Sequence, residues 1–292
     1  MKFSAYIILT LFIMAFAGCE SMITDVEIET PKPKIVVIGF VSPDSPYNSL
    51  KIYESRPLYS PLPSGSEDFP VITNATVIIY SDNDSAIMNY NQQYNDYRIS
   101  QDAMPIIKGR TYNLKVTTPK GYYATSSCTV PNNEPPVLEI VGIDTISKEE
   151  GWDPSVWVYQ LRARAQFKDW EGEGHFYRVA AGQMNWIDGE QPYQYSYDIG
   201  LSRGSSLSSD KNNDGNTYAI TTNDFMAQTG ESIRLYFTIS ITDSHYYNYH
   251  KTLMNFEGDN PFAEPTTIYS NIEGGLGVFS SYIQDDIIYD IR

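Results

Sequence analysis

Residues 35–41 read Ile35-Val-Val-Ile-Gly-Phe-Val41, an unbroken apolar run in which five of seven positions are β-branched. A strand with one solvated face alternates apolar and polar positions, so a strand without polar positions is covered on both faces. The run therefore predicts a central strand of a sandwich. Further short runs follow it: Ser49–Tyr53, Ala75–Tyr80, Tyr97–Ile99, Tyr112–Thr117 and Tyr123–Val130. Turn signals at Ser81-Asp-Asn-Asp84, Lys108-Gly109 and Pro119-Lys-Gly121 separate them. Seven or so short strands in about 100 residues is the count of an immunoglobulin-like sandwich.

Asn132-Asn-Glu-Pro-Pro136 reads as a stiff linker. Beyond it Leu161-Arg-Ala-Arg-Ala-Gln-Phe167 alternates cleanly, placing Leu161, Ala163, Ala165 and Phe167 on one face. Segments 175–181, 193–197, 218–221 and 233–242 read as further strands. One helix is expected, capped by Asp243 or Ser244 and running towards Phe256, with Tyr246, Tyr249, Leu253 and Phe256 as its core-facing stripe. The expected fold is all-β, with two β-sandwich-type domains. The first, 34–131, is immunoglobulin-like; the second, 137–292, carries a short helix and long loops.

The N-terminus has one charge, Lys2, then an apolar run from Tyr6 to Phe16 broken only by Thr10. This is the n-region and h-region of a secretory signal, too short to span a bilayer. Phe16-Ala-Gly-Cys19 resembles the bacterial lipobox, which implies a signal peptide at 1–18 and lipidation of Cys19. Two or three acyl chains on that cysteine make a firm membrane anchor. Residues 19–33 form an acidic tether with Glu20, Asp25, Glu27 and Glu29. The expected address is the outer membrane, at the cell surface rather than in the periplasm.

The chain has 36 acidic and 20 basic residues, a net charge of −16. Such a surface repels phosphates, so nucleic acid is not an expected partner, nor is anionic lipid. With Cys19 lipidated, Cys128 is the remaining thiol and forms no internal disulfide. It alternates within a strand-like run, as a buried structural cysteine would.

Asp210-Lys-Asn-Asn-Asp-Gly-Asn216 places oxygen donors at Asp210, Asn212 and Asp214 before a glycine, resembling the start of an EF-hand calcium loop. Its twelfth position is Thr221 rather than a bidentate Glu. The loop thus reads first as a polar hairpin connection and second as a weak calcium site; no other cofactor is expected. His245 and His250 are five apart, off the spacing that shares a helix face. Asp169-Trp-Glu-Gly-Glu173 gathers three acids, as a glycosidase pair would require, but chance clustering is the simpler reading among 36 acids. His-Glu-x-x-His and P-loop patterns do not occur. An enzyme is not expected. The 24 tyrosines and four tryptophans suit interfaces as well as ordinary sheet surfaces. Trp186, Tyr193 and Tyr195 are the candidate contacts for a ligand or partner.

The stretch Asn260-Pro-Phe-Ala-Glu-Pro-Thr-Thr-Ile-Tyr-Ser-Asn-Ile-Glu-Gly-Gly-Leu-Gly-Val-Phe279 resembles the closing motif of a Bacteroidota lipoprotein family that carries a domain-of-unknown-function label. Lys108-Gly-Arg-Thr-Tyr-Asn-Leu-Lys-Val116 and the Phe167–Glu173 segment match it too. Gly274, Gly275 and Gly277 read as a tight bend or close backbone approach beside a closing strand. The resemblance implies an outer-membrane lipoprotein often encoded beside TonB-dependent transporters. The expected role is a non-catalytic accessory to such a transporter in nutrient capture; the alternative is a stand-alone surface adhesion or glycan-binding module.

Overall fold

The structure is a computed structural model that describes residues 32–56, 70–82, 84–187, 197–202, 206–256 and 267–291. The expected signal peptide at 1–18 and Cys19 lie outside the described residues. Among the described residues no helix is long and apolar enough to cross a membrane.

The fold is all-β and sandwich-type. Strands β1 (Ile35–Val41), β2 (Tyr47–Glu54), β3 (Thr76–Ser81), β4 (Asp84–Asn91), β5 (Asp96–Ser100), β6 (Thr111–Thr117) and β7 (Tyr123–Thr129) build the first half. β1 pairs antiparallel with β2, which pairs with β5 and then β4; β3 continues from β4 through β6 to β7. Val37, Ile52, Val77, Ile79, Leu114 and Val116 point into the space between these strands and are buried. Cys128, on β7, is buried, and its thiol is pushed well up by burial and then by the nearby Asp243 carboxylate. β4 joins the two sheets of this half and buries only Met88. That poor alternation kept it from being read in the sequence.

The second half comprises β8 (Leu138–Glu150), β9 (Trp157–Lys168), β10 (Phe176–Ile187), β11 (Tyr197–Asp198), β12 (Leu207–Ser209), β13 (Thr217–Thr221), β14 (Phe225–Gln228), β15 (Glu231–Thr242), helix α1 (Ser244–Met254) and β16 (Leu276–Ile291). β9 pairs with β8 on one side and with β13 and β14 on the other. The face expected from alternation holds: Leu161, Ala163, Ala165 and Phe167 are buried. Two register shifts break the pleat of β8, near Gly142 and Ser147, and hide its periodicity. The facing sheet runs β11–β10–β15–β16.

β16 belongs to both halves. Its first part pairs in parallel with β1, from Val36 opposite Leu276 to Val41 opposite Ser281. Its second part pairs antiparallel with β15, from Thr242 opposite Tyr282 to Ile233 opposite Ile291. Residues 276–281, placed by sequence in the second unit, thus complete a sheet of the first. The glycine-rich motif permits this. Gly277 has φ +105°, and a Cβ there would lie 2.0 Å from the Val37 carbonyl oxygen. Asn271 clamps the turn: its carboxamide donates to the Phe279 carbonyl at 2.7 Å and accepts the Phe279 N–H at 3.0 Å. The Glu273 and Thr125 backbones bond each other, joining the motif to β7.

Helix α1 begins where expected: the Asp243 carboxylate accepts the Tyr246 N–H at 2.8 Å. Tyr246 and Tyr249 are buried, and both rings pack on Phe40 of β1. Leu253 and Phe256 are exposed, so only the first half of the expected stripe faces the core.

Candidate functional site

Two regions gather side chains with chemical potential, one exposed and one buried. The first is the far end of the second sandwich. Glu150 stands opposite Trp157, the Thr229 N–H donates to the Trp157 carbonyl, and Glu231 stands opposite Ile187. These pairings bring the β8–β9 turn, the β14–β15 turn and the end of β10 to one rim. Trp152, at the β8–β9 turn, is fully exposed at 108 %. Trp157, Ile187 and Met226 are also exposed. Trp152 lines a cleft of about 690 Å³ with Glu149, Glu150, Val156, Val158 and Gln228.

Trp186 lies at this end, but in strand β10 rather than in a loop. It is half-buried, with the Arg234 guanidinium 5.6 Å from its ring centre. Tyr193 and Tyr195 lie outside the described residues. Sequence reasoning missed Trp152 and Trp157. The signal was Gly151-Trp-Asp-Pro154, a turn that displays a tryptophan, but the bulged β8 concealed the hairpin carrying it.

The rim is far from the chain's entry. Residues 32–34 enter beside Leu276, at the opposite end of β16 from Ile291. The 16 residues of β16, at roughly 3.3 Å each, give it a contour length of about 50 Å.

The second region lies between the sandwiches. Asp169 follows β9, His175 precedes β10, and Asp210 follows β12. Their ligand-type atoms all lie within 4.8 Å of one another. His175 Nδ1 is 3.6 Å from Asp169 Oδ1 and 3.4 Å from Asp210 Oδ2. The Asp169 and Asp210 side chains are 0 % and 3 % exposed. Tyr177 donates its hydroxyl to Asp169 Oδ1 at 2.5 Å, and the Gly215 N–H donates to Oδ2 at 3.0 Å. Burial and that carboxylate push the Tyr177 phenol well above its usual range. The His175 backbone N–H donates to Asp210 Oδ2 at 2.7 Å, and the Asn133 carboxamide sits 3.0 Å from the ring Nε2.

The expected calcium donors do not act as one set. Asp210 turns to His175, Asp214 accepts the Gly172 N–H at 2.8 Å, and Asn212 is exposed. Asp169, whose segment reads by sequence as a chance acidic cluster, is instead brought onto Asp210 by the fold. The other two histidines serve packing: His245 Nδ1 lies 2.6 Å from the Tyr269 hydroxyl, and His250 stacks on Phe40.

No curated protein matches the chain. A family model described as a domain of unknown function, DUF4249, matches residues 23–287. That match spans both sandwiches and the glycine motif of β16, and the chain belongs to the DUF4249 family.

Proposed function

We propose that this chain is a non-catalytic outer-membrane lipoprotein, anchored through Cys19 at the cell surface, that works with a TonB-dependent transporter in nutrient capture. The observation that carries the reading is the aromatic rim of Trp152, Trp157 and Trp186. It lies at the opposite end of β16 from where residues 32–34 enter the fold. Trp152 and Trp157 are exposed, and tryptophan is a residue type that dominates protein interfaces, whereas scattered apolar surface residues need no explanation. The signal segment and the resemblance of the C-terminal motif support the membrane address.

A stand-alone adhesion or glycan-binding module is the second reading, favoured by the open face of Trp152, which suits sugar stacking. Co-purification of full-length wild type and Trp152→Ala with the neighbouring transporter separates the two. Loss of the complex in Trp152→Ala at unchanged melting temperature supports the transporter role. An intact complex in that variant, with loss of glycan retention, transfers the rim to the second reading.

A further inference from the structure

We propose that Asp169, His175 and Asp210 form a binding site for one divalent transition-metal ion of the zinc type, clasping the β9–β10 connection to the 210–216 loop. Three observations carry this, none of which concerns the aromatic rim.

The first is an orphaned donor. His175 Nδ1 is fully buried and has no hydrogen-bond partner, although it faces two carboxylates. Its separations of 3.4 and 3.6 Å exceed the 2.7–3.2 Å range of a good N–H···O bond. They match the spacing of two ligands on one ion: donors about 2.1 Å from a tetrahedral metal stand about 3.4 Å apart.

The second is charge. Both carboxylates are buried, and among the described residues no lysine or arginine pairs with either. An isolated buried carboxylate is costly, and two within one cluster are more so. A divalent cation neutralises the pair.

The third is the surrounding shell. The Tyr177 hydroxyl and the Gly215 N–H hold the Asp169 oxygens, and the Asn133 amide holds the far side of the imidazole. With that amide turned, its oxygen accepts the Nε2 proton and leaves Nδ1 as a lone-pair donor. One nitrogen and two carboxylates suit zinc, manganese or iron, whereas calcium and magnesium prefer oxygen throughout.

The test uses full-length protein in detergent, stripped with chelator, dialysed and titrated with Zn²⁺ alone against a millimolar background of Mg²⁺ and Ca²⁺. Uptake of one equivalent is expected, with a melting temperature several degrees higher, because an ion bound by the folded state stabilises it. His175→Gln and Asp210→Asn should each weaken Zn²⁺ binding on the order of 100-fold or more, whereas Asp214→Asn, outside the cluster, should not. Circular dichroism reports whether each variant folds. Stripped wild type that takes up no equivalent overturns the proposal. So does a folded His175→Gln or Asp210→Asn that binds Zn²⁺ as wild type does. If the His175 variant fails to fold, wild type and Asp210→Asn decide.

Discussion

Asp243 and Ser281 hold each other by backbone and side chain together. The Asp243 N–H donates to the Ser281 carbonyl at 3.0 Å, and the Ser281 N–H donates back to Asp243 Oδ2 at 3.0 Å. Ser281 Oγ lies 3.1 Å from the same Oδ2 and donates to the Thr129 carbonyl of β7 at 2.9 Å. Asp243 also caps α1, and Ser281 is the last residue of β16 to pair with β1. One buried contact thus ties the helix to β7 and to the point where β16 changes partner.

Ser281→Ala removes the hydroxyl and leaves the Thr129 carbonyl without that donor. A loss of about 1–2 kcal/mol is expected in urea denaturation followed by circular dichroism. An unchanged midpoint would show that the contact contributes nothing net.

The same aspartate sets a pH response. Burial pushes its carboxyl up to about 7, held back by the donors of Tyr246, Ser281 and His245. Unfolded, it ionises near pH 4, so this contribution to stability falls as pH rises from about 4 to about 7. His250 acts with the opposite sign: burial and then Arg178 push it down to about 4. Below about pH 6.5 the unfolded chain takes a proton that the folded chain refuses, and stability is lost as pH falls. Between about pH 5 and 6.5 the two oppose each other. Asp243→Asn should uncover a melting temperature that climbs with pH across this window, and His250→Phe one that declines. An Asp243→Asn profile parallel to wild type sinks this assignment.

Gly277→Ala should abolish folding or cost at least about 3 kcal/mol, because a methyl group would overlap the Val37 carbonyl in a conformation that alanine avoids. Leu276→Ala, one residue away at an exposed site, should cost little. Thermal unfolding of the pair checks this, and equal small losses would mean that the strand can shift aside.

Cys19→Ala should release the protein from the outer-membrane fraction, or leave an uncleaved precursor, because acyl chains on that residue are the proposed attachment. Membrane fractionation reads this out directly, and wild-type levels in the outer membrane would refute it.

Much of the fold could be read where burial imposes alternation, as in Leu161–Phe167. Reading failed where pairing overrides pattern: β4 buries little, β8 is bulged, and the first role of β16 depends on a partner about 240 positions away. The helix cap at Asp243 was legible because capping is local chemistry. The Asp169–His175–Asp210 cluster was not, because its members come from three segments that only the sheet order brings together. Residue type alone points to Trp186, yet it sits in strand β10 half-buried beside Arg234, while Trp152 is the exposed one.

The order in which the chain is made gives β16 a further consequence. Gln284 donates to the Asp44 carboxylate across 240 positions, and Leu276 meets Val36 over a similar span. An emerging polypeptide therefore carries β1 with one open edge until β16 has been made. Contacts this distant form slowly, and an unpaired apolar edge invites association with other chains meanwhile. A product ending before residue 276 never closes that edge. The first sandwich thus reports on synthesis through β16, and copies that end before it are left open to aggregation and degradation.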